Sequence, residues 1–93
     1  MPTAPPRAEI EAVVIAILAT QLLLPPASVA VDARVDDLGL DSLGKVEAIF
    51  ALEEHFAIAI PFNANEGDAP DFDFVSVPSI VAGVQRLIAQ RAA

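Results

Sequence analysis

Residues 36–61 read DDLGLDSLGKVEAIFALEEHFAIAIP and decide the fold. An acidic, glycine-containing loop leads here into a helix predicted from Ser42 to Phe56. Either of two polar residues, Asp41 or Ser42, can cap the start of this helix. Glu53 falls within the apolar arc, which helical periodicity does not explain. Apolar residues recur at helical spacing and predict one broad buried face: Leu43, Val46, Ile49, Phe50 and Phe56.

Two more helices are predicted on either side. The first runs from Arg7 to Leu23, and the pair Pro25-Pro26 ends it. The last runs from Pro78 to Gln90, with Ser76 as a candidate cap. Three helices with one apolar stripe each predict an all-α fold, a small three- to four-helix bundle with a long loop between helix one and helix two. A strand from Val29 to Val35 is conceivable in that loop, but the chain offers no second strand to pair with it.

At 93 residues the chain has room for one core. We expect residues 1–6 to be a disordered tail and residues 7–93 to form a single domain. The absence of cysteine excludes disulfides and thiolate catalysis, and the single histidine, His55, excludes a multi-histidine metal site. His55 lacks partners for acid–base work, so we predict a solvated side chain, no metal site and no enzymatic activity of the chain itself.

The net charge of −8 is concentrated in residues 32–73, which hold eleven of the thirteen acidic residues. Such a surface repels nucleic acid and anionic membranes and attracts proteins with basic patches. The uncharged stretch 12–31 is interrupted by Pro25-Pro26, and Glu9 and Glu11 precede it where an export signal is basic. We therefore expect a cytoplasmic monomer without stable membrane insertion.

Ser42 is a hydroxyl at the junction of the long loop and the second helix. A phosphate esterified there would lie at a helix N-terminus, which favours an anion. No base lies near enough in sequence to activate Ser42 as a nucleophile, so a functional Ser42 would be modified by another enzyme. Taken alone, an N-cap is the simpler interpretation.

The ordered set of motifs from Asp36 to Pro61 resembles the acyl carrier proteins, and a looser likeness extends over residues 7–90. The resemblance implies that Ser42 carries 4′-phosphopantetheine, which a phosphopantetheinyl transferase donates from coenzyme A. Asp41 and Leu43 are then its motif neighbours. The terminal thiol of the arm holds an acyl group as a thioester, and the carrier shuttles intermediates of fatty acid, specialised lipid or polyketide biosynthesis between enzymes.

Two sets of residues follow from this resemblance. Acidic side chains are expected to dock acyl-loading, elongating and acyl-transferring enzymes: Asp36, Asp37, Glu47, Glu53 and Glu54. Apolar side chains are candidates for the acyl cleft: Val46, Ile49, Phe50, Phe56 and Ile60.

The chain also departs from the family pattern. Gly44-Lys45 stands where the family usually has an acid after the serine motif, which puts recognition by the usual transferase in doubt. The segment 62–75 is longer than the common linker and is similar in length to that of specialised carriers for very long acyl chains on lipid A. Its phenylalanines could cover an enlarged cleft, or the segment could be a passive insertion: Phe62, Phe72 and Phe74. Two other functions stay open, a peptidyl or aminoacyl carrier and an unmodified acidic docking module.

Overall fold

A computed structural model describes residues 5–60 and 74–92, with side chains up to residue 90. Within these residues the chain forms four α-helices and no strand, which confirms the all-α prediction: α1 (Arg7–Leu22), α2 (Val35–Leu38), α3 (Ser42–Phe56) and α4 (Val77–Ala92). None of these helices has the length and apolar character that crossing a membrane requires. Most of the predicted tail and of the segment 62–75, including Phe62 and Phe72, lies outside the described residues.

Helix α1 ends one residue earlier than predicted. Leu23 adopts the left-handed conformation, with φ of 59°. The amide of Leu24 donates to the carbonyl of Ala19 at 2.9 Å, and that of Leu23 donates to Thr20 at 3.2 Å. These two bonds form a Schellman motif, which satisfies the last carbonyls of the helix before Pro25.

Helix α1 is the centre of the bundle, and both α3 and α4 pack against it. Its buried side chains Ile10, Val14 and Leu18 are each 1% exposed. Residues at the start of α1, among them Glu9, lie beside Phe56 at the end of α3 and Ile88 near the end of α4. Helix α1 is therefore antiparallel to both of its neighbours, and the end of α1 lies at the same end of the bundle as the start of α3.

The buried face of α3 differs from the predicted one. Its buried residues are Gly44, Ala48, Leu52 and Phe56. The predicted core residues Leu43 and Phe50 are 67% and 62% exposed, so their assignment to the core was wrong. The physical reason is that the small residues Gly44 and Ala48 share the buried face of α3 with Leu52 and Phe56, so that Leu43 and Phe50 point outward.

The connection between α1 and α3 contains a 3-10 helix, Pro26–Ser28, and the short helix α2. The amide of Val35 donates to Val75 at 2.8 Å, and the amide of Val77 donates to Ala33 at 2.9 Å. This single bridge joins the loop to the start of α4 without forming a strand. Val29 and Val35 are both buried, so the loop is pinned onto the core, and the strand considered for Val29 to Val35 does not form.

Ser76 caps helix α4 as predicted, although the helix begins at Val77, one residue earlier than expected. The amide of Ser79 donates to the Ser76 hydroxyl at 3.2 Å, and the amide of Ser76 donates to the Ser79 hydroxyl at 2.9 Å. The two serines thus form a reciprocal capping box.

Candidate functional site

Ser42 is the first residue of α3, and its side chain is exposed. The capping residue is Asp41, whose Oδ1 accepts a hydrogen bond from the amide of Gly44 at 2.7 Å. The interpretation of Ser42 as a mere N-cap was therefore wrong. The cap leaves the Ser42 hydroxyl on the surface, with no capping bond to make.

The loop before Ser42 is anchored on both sides. Gly39 ends α2 in the left-handed conformation, with φ of 79°, where a residue with a side chain would be strained. Leu40 follows and is only 8% exposed, because it packs into the core. Ser42 consequently stands two residues from a buried anchor rather than on a loose loop.

The structure explains both Gly44 and Lys45, the two residues at which the sequence departs from the expected motif. Gly44 is buried, and a Cβ atom at this position would come within 2.9 Å of Leu40 Cδ1. The Lys45 ammonium lies 3.5 Å from the carboxylate of Asp36, and so connects α3 to α2. The positive charge near Ser42 is thus partly offset by an acid from the preceding helix.

The five acids predicted to dock partners are not equivalent. Asp37, Glu47 and Glu54 are exposed, and Asp36 is 80% exposed although it pairs with Lys45. Glu53 is half-buried, and its Oε2 accepts a hydrogen bond from the amide of Ile60 at 2.8 Å. This bond, which sequence reasoning missed, explains why an acid occupies the apolar arc: Glu53 fastens the segment that follows α3.

The cleft candidates also separate by burial. Phe56 and Ile60 are buried, and Val46 and Ile49 are half-buried. Phe50 stands apart, because its side chain lies on the exposed face of α3 and not beside the core. Phe74, the one described aromatic of the segment 62–75, is 5% exposed and belongs to the core.

His55 is exposed in the last turn of α3, as the sequence predicts. Its ring contacts the Phe56 ring edge to face, with 4.7 Å between the ring centroids. It also borders a groove of about 290 Å³ between α1 and α3, together with Val13, Ile17 and Ala51.

Comparison with known proteins identifies the family. Residues 12–64, more than half of the chain, match the family model described as "Phosphopantetheine attachment site". The acyl carrier protein of Campylobacter hominis is 35% identical over 72 residues, which cover 76% of this chain and 84% of that protein. The acyl carrier protein AcpXL of Brucella melitensis is 32% identical over 62 residues, covering 61% of this chain and 67% of that protein. AcpXL of Mesorhizobium japonicum is 31% identical over 64 residues, covering 63% and 69%.

The chain therefore belongs to the acyl carrier protein family, whose members are carriers and not catalysts, and the resemblance drawn from the sequence is confirmed. Its prosthetic group is 4′-phosphopantetheine. The residues around Ser42 fit such a group, since an exposed hydroxyl offers the oxygen for a phosphodiester. The N-terminus of a fifteen-residue helix also favours the resulting negative charge.

Proposed function

We propose that Ser42 is the attachment site of 4′-phosphopantetheine and that the chain carries acyl groups between enzymes of fatty acid, specialised lipid or polyketide biosynthesis. The observation that carries this proposal is the position of Ser42. It is an exposed hydroxyl on the first residue of α3, next to a different residue that caps the helix. When attached, the group supplies a thiol, which the cysteine-free chain lacks, to hold an acyl group as a thioester.

The attachment step balances with coenzyme A and a transferase. The Ser42 oxygen forms a bond to the phosphorus that bears the pantetheine. The bond from that phosphorus to the bridging pyrophosphate oxygen breaks, and adenosine 3′,5′-bisphosphate leaves. The serine proton passes to a base of the transferase, because the adjacent Asp41 carboxylate is engaged by the Gly44 amide as the helix cap.

Intact-mass spectrometry tests the assignment. The chain is measured alone and after incubation with coenzyme A and a broad-specificity phosphopantetheinyl transferase. We expect a gain of one phosphopantetheine in the wild type, no gain in Ser42→Ala, and a full gain in the matched control Ser28→Ala, which changes another exposed serine. Modification of Ser42→Ala would refute the assignment. No gain in the wild type beside a modified control carrier would favour the unmodified docking module.

We also propose that the outer face of α3 docks the transferase and the acyl-loading, elongating and acyl-transferring enzymes. This face, defined here as Leu43, Glu47, Phe50 and Glu54, combines two exposed carboxylates with two exposed apolar side chains. Partners that fit it carry an apolar patch bordered by arginine or lysine. Such contacts exchange quickly and weaken with salt, which suits a shuttle.

A pair of charge reversals tests this docking face. Glu47→Lys reverses a charge on the outer face, whereas Glu9→Lys reverses another exposed charge on α1. We expect Glu47→Lys to raise the KM of the transferase for the carrier by about tenfold and Glu9→Lys to change it by less than about twofold, because only close charges couple strongly. Equal effects of the two variants would mean that only total charge matters.

An acyl cleft beside α3 is the third part of the proposal. Val46 and Ile49 are half-buried and Phe56 and Ile60 are buried on one side of the helix, and α3 packs mainly on α1 rather than on α4. If these residues shelter the acyl chain, Ile49→Ala should speed hydrolysis of a long-chain thioester more than that of an acetyl thioester. Equal acceleration of both would argue against a cleft at Ile49.

The rate of thioester hydrolysis also indicates which acyl group the protein carries. The relatives are named acyl carrier protein and acyl carrier protein AcpXL, which supports an acyl cargo for this chain. Holo-protein loaded with acetyl, palmitoyl and longer chains should hydrolyse most slowly with the chain length that the protein accommodates. Preferential loading with an amino acid by an adenylating enzyme would instead favour the peptidyl carrier.

A further inference from the structure

A buried glycine lies beside the residue that we propose as the attachment site. A Cβ atom at Gly44 would lie 2.9 Å from Leu40 Cδ1, 3.2 Å from Leu40 Cγ and 3.1 Å from Asp41 Oδ1. Carbon atoms attract each other at about 3.5–4.0 Å and repel well inside that distance. Any side chain at Gly44 therefore requires Leu40 or Asp41 to move.

Both neighbours of Gly44 are held in place by other contacts. Leu40 is 8% exposed and packs into the core. Asp41 accepts the Gly44 amide at 2.7 Å, and its own carbonyl accepts the amide of Lys45 at 2.9 Å. Gly44 thus contacts both residues that directly precede Ser42, Leu40 through its close approach and Asp41 through a hydrogen bond.

Helical propensity makes this glycine informative. Glycine is among the least favourable residues in a helix, and only proline is worse. Gly44 nevertheless occupies the first turn of α3, where its negative φ would suit any residue. The close approach of Leu40 supplies a reason for a glycine there that backbone conformation does not.

We propose that Gly44 is a positioning residue for the modification of Ser42. Because Gly44 has no side chain, Leu40 can pack over the first turn of α3. The Gly44 amide also holds the side chain of Asp41. With both preceding residues fixed, the backbone presents Ser42 in one orientation. This inference rests on the proposed role of Ser42 as the attachment site. It concerns the geometry of the attacking oxygen, since misplacement by 1 Å can lower the rate of a positioned reaction by about 100-fold.

The test compares Gly44→Ala with the double variant Gly44→Ala/Leu40→Val. The probes are coenzyme A and the broad-specificity transferase, and the readouts are the kcat and KM of phosphopantetheine transfer from intact mass. In Gly44→Ala we expect kcat to fall about tenfold through misplacement of Ser42. We expect KM to stay within about twofold, because the docking charges are unchanged.

Leu40→Val removes the atom that makes the 2.9 Å contact. The double variant keeps the contacts at 3.1 Å and 3.2 Å and should therefore recover part of the lost kcat, with Leu40→Val alone as its reference. Residues in contact couple, so the recovery shows that the Leu40 side chain causes the loss. The fall in kcat at constant KM, measured well below the Tm of each folded variant, separates positioning of Ser42 from a purely structural role.

Several outcomes overturn the inference. These are an unchanged kcat in a folded Gly44→Ala, a change confined to KM, or a double variant no faster than Gly44→Ala. If Gly44→Ala fails to fold by circular dichroism, Leu40→Ala replaces it, because this variant removes the cover without adding bulk. A wild-type kcat in Leu40→Ala then overturns the inference.

The inference and the proposed function fail in different ways. Modification of the wild type at Ser42 together with an indifferent Gly44 overturns the inference alone. Modification of Ser42→Ala, or no modification of the wild type, overturns both proposals.

Discussion

The capping bond of Asp41 makes a quantitative prediction about stability. Its Oδ1 accepts the Gly44 amide at 2.7 Å, the short distance of a charge-assisted hydrogen bond. Removing a capping side chain costs about 1 kcal/mol, and losing a negative charge at a helix N-terminus costs about another 0.5 kcal/mol. For a domain of this size, 1 kcal/mol corresponds to about 4–8 °C in Tm. Asp41→Ala should therefore lower the Tm by about 6–12 °C.

Two further variants separate the cap from the charge. Asp41→Asn keeps an oxygen that can accept the Gly44 amide and loses only the charge, so its Tm should fall by about 2–4 °C. Asp32→Ala removes an exposed carboxylate from the same acidic region and corrects for relief of charge repulsion. Thermal unfolding by circular dichroism measures all three. The reasoning fails if Asp41→Ala and Asp32→Ala agree within about 0.5 kcal/mol, or if Asp41→Asn is as unstable as Asp41→Ala.

Three other substitutions test single contacts. Glu53→Ala leaves the Ile60 amide without its acceptor and should lower the free energy of unfolding by about 2 kcal/mol in urea titration. Glu53→Gln keeps an acceptor oxygen and should lower it by less. Equal losses in the two variants would show that this hydrogen bond does not stabilise the fold. Leu52→Ala removes a side chain that is 1% exposed and should lower the free energy of unfolding by about 2–5 kcal/mol. Leu43→Ala, at an exposed site, should lower it by less than about 0.5 kcal/mol. Similar losses in the two variants would contradict the described burial. Lys45→Asp breaks an ion pair that contributes at most about 1 kcal/mol to stability. It also adds an acid near Ser42, so it should speed modification by a fatty-acid-type transferase. An unchanged rate would mean that Lys45 does not determine recognition by the transferase.

The helices could be predicted from the sequence, and the buried face of α3 could not. Periodicity and proline placed all three long helices within about two residues, because these signals act within a helix. The face of α3 was wrong because hydrophobic patterning follows large side chains, whereas the buried face of α3 includes the small residues Gly44 and Ala48. A glycine in the first turn of a predicted helix was the signal that could have indicated the close approach of Leu40.

The site shows the same division between local and tertiary information. Asp41 and Ser42 are equally good caps by residue type, and only the geometry of the turn selects Asp41. The bond between Glu53 and Ile60 joins residues on either side of the end of α3, so no periodicity within the helix predicts it. The short helix α2 lies in a stretch that the sequence predicts to be a loop, because four residues are too few to show helical periodicity.

The acidic surface therefore separates into structural and available charges. Asp41 and Glu53 are used within the fold, and Asp36 pairs with Lys45. On the outer face of α3, exposed carboxylates stand beside exposed Phe50. Carboxylates act over about 8 Å in physiological salt and so govern the rate of encounter, whereas an apolar side chain acts only in contact and governs the lifetime of the complex.

This division predicts that two perturbations act on different rate constants. Raising the salt concentration should slow association with the transferase and leave dissociation nearly unchanged, because screening acts before contact. Phe50→Ser should leave association nearly unchanged and speed dissociation by about tenfold, since it removes buried apolar area from the complex. Surface plasmon resonance with immobilised transferase measures both rate constants, and Ala59→Ser at another exposed apolar position is the control. If salt and Phe50→Ser both acted on the same rate constant, charge and apolar contact would not be separable, and the outer face of α3 would have to be treated as one electrostatic surface.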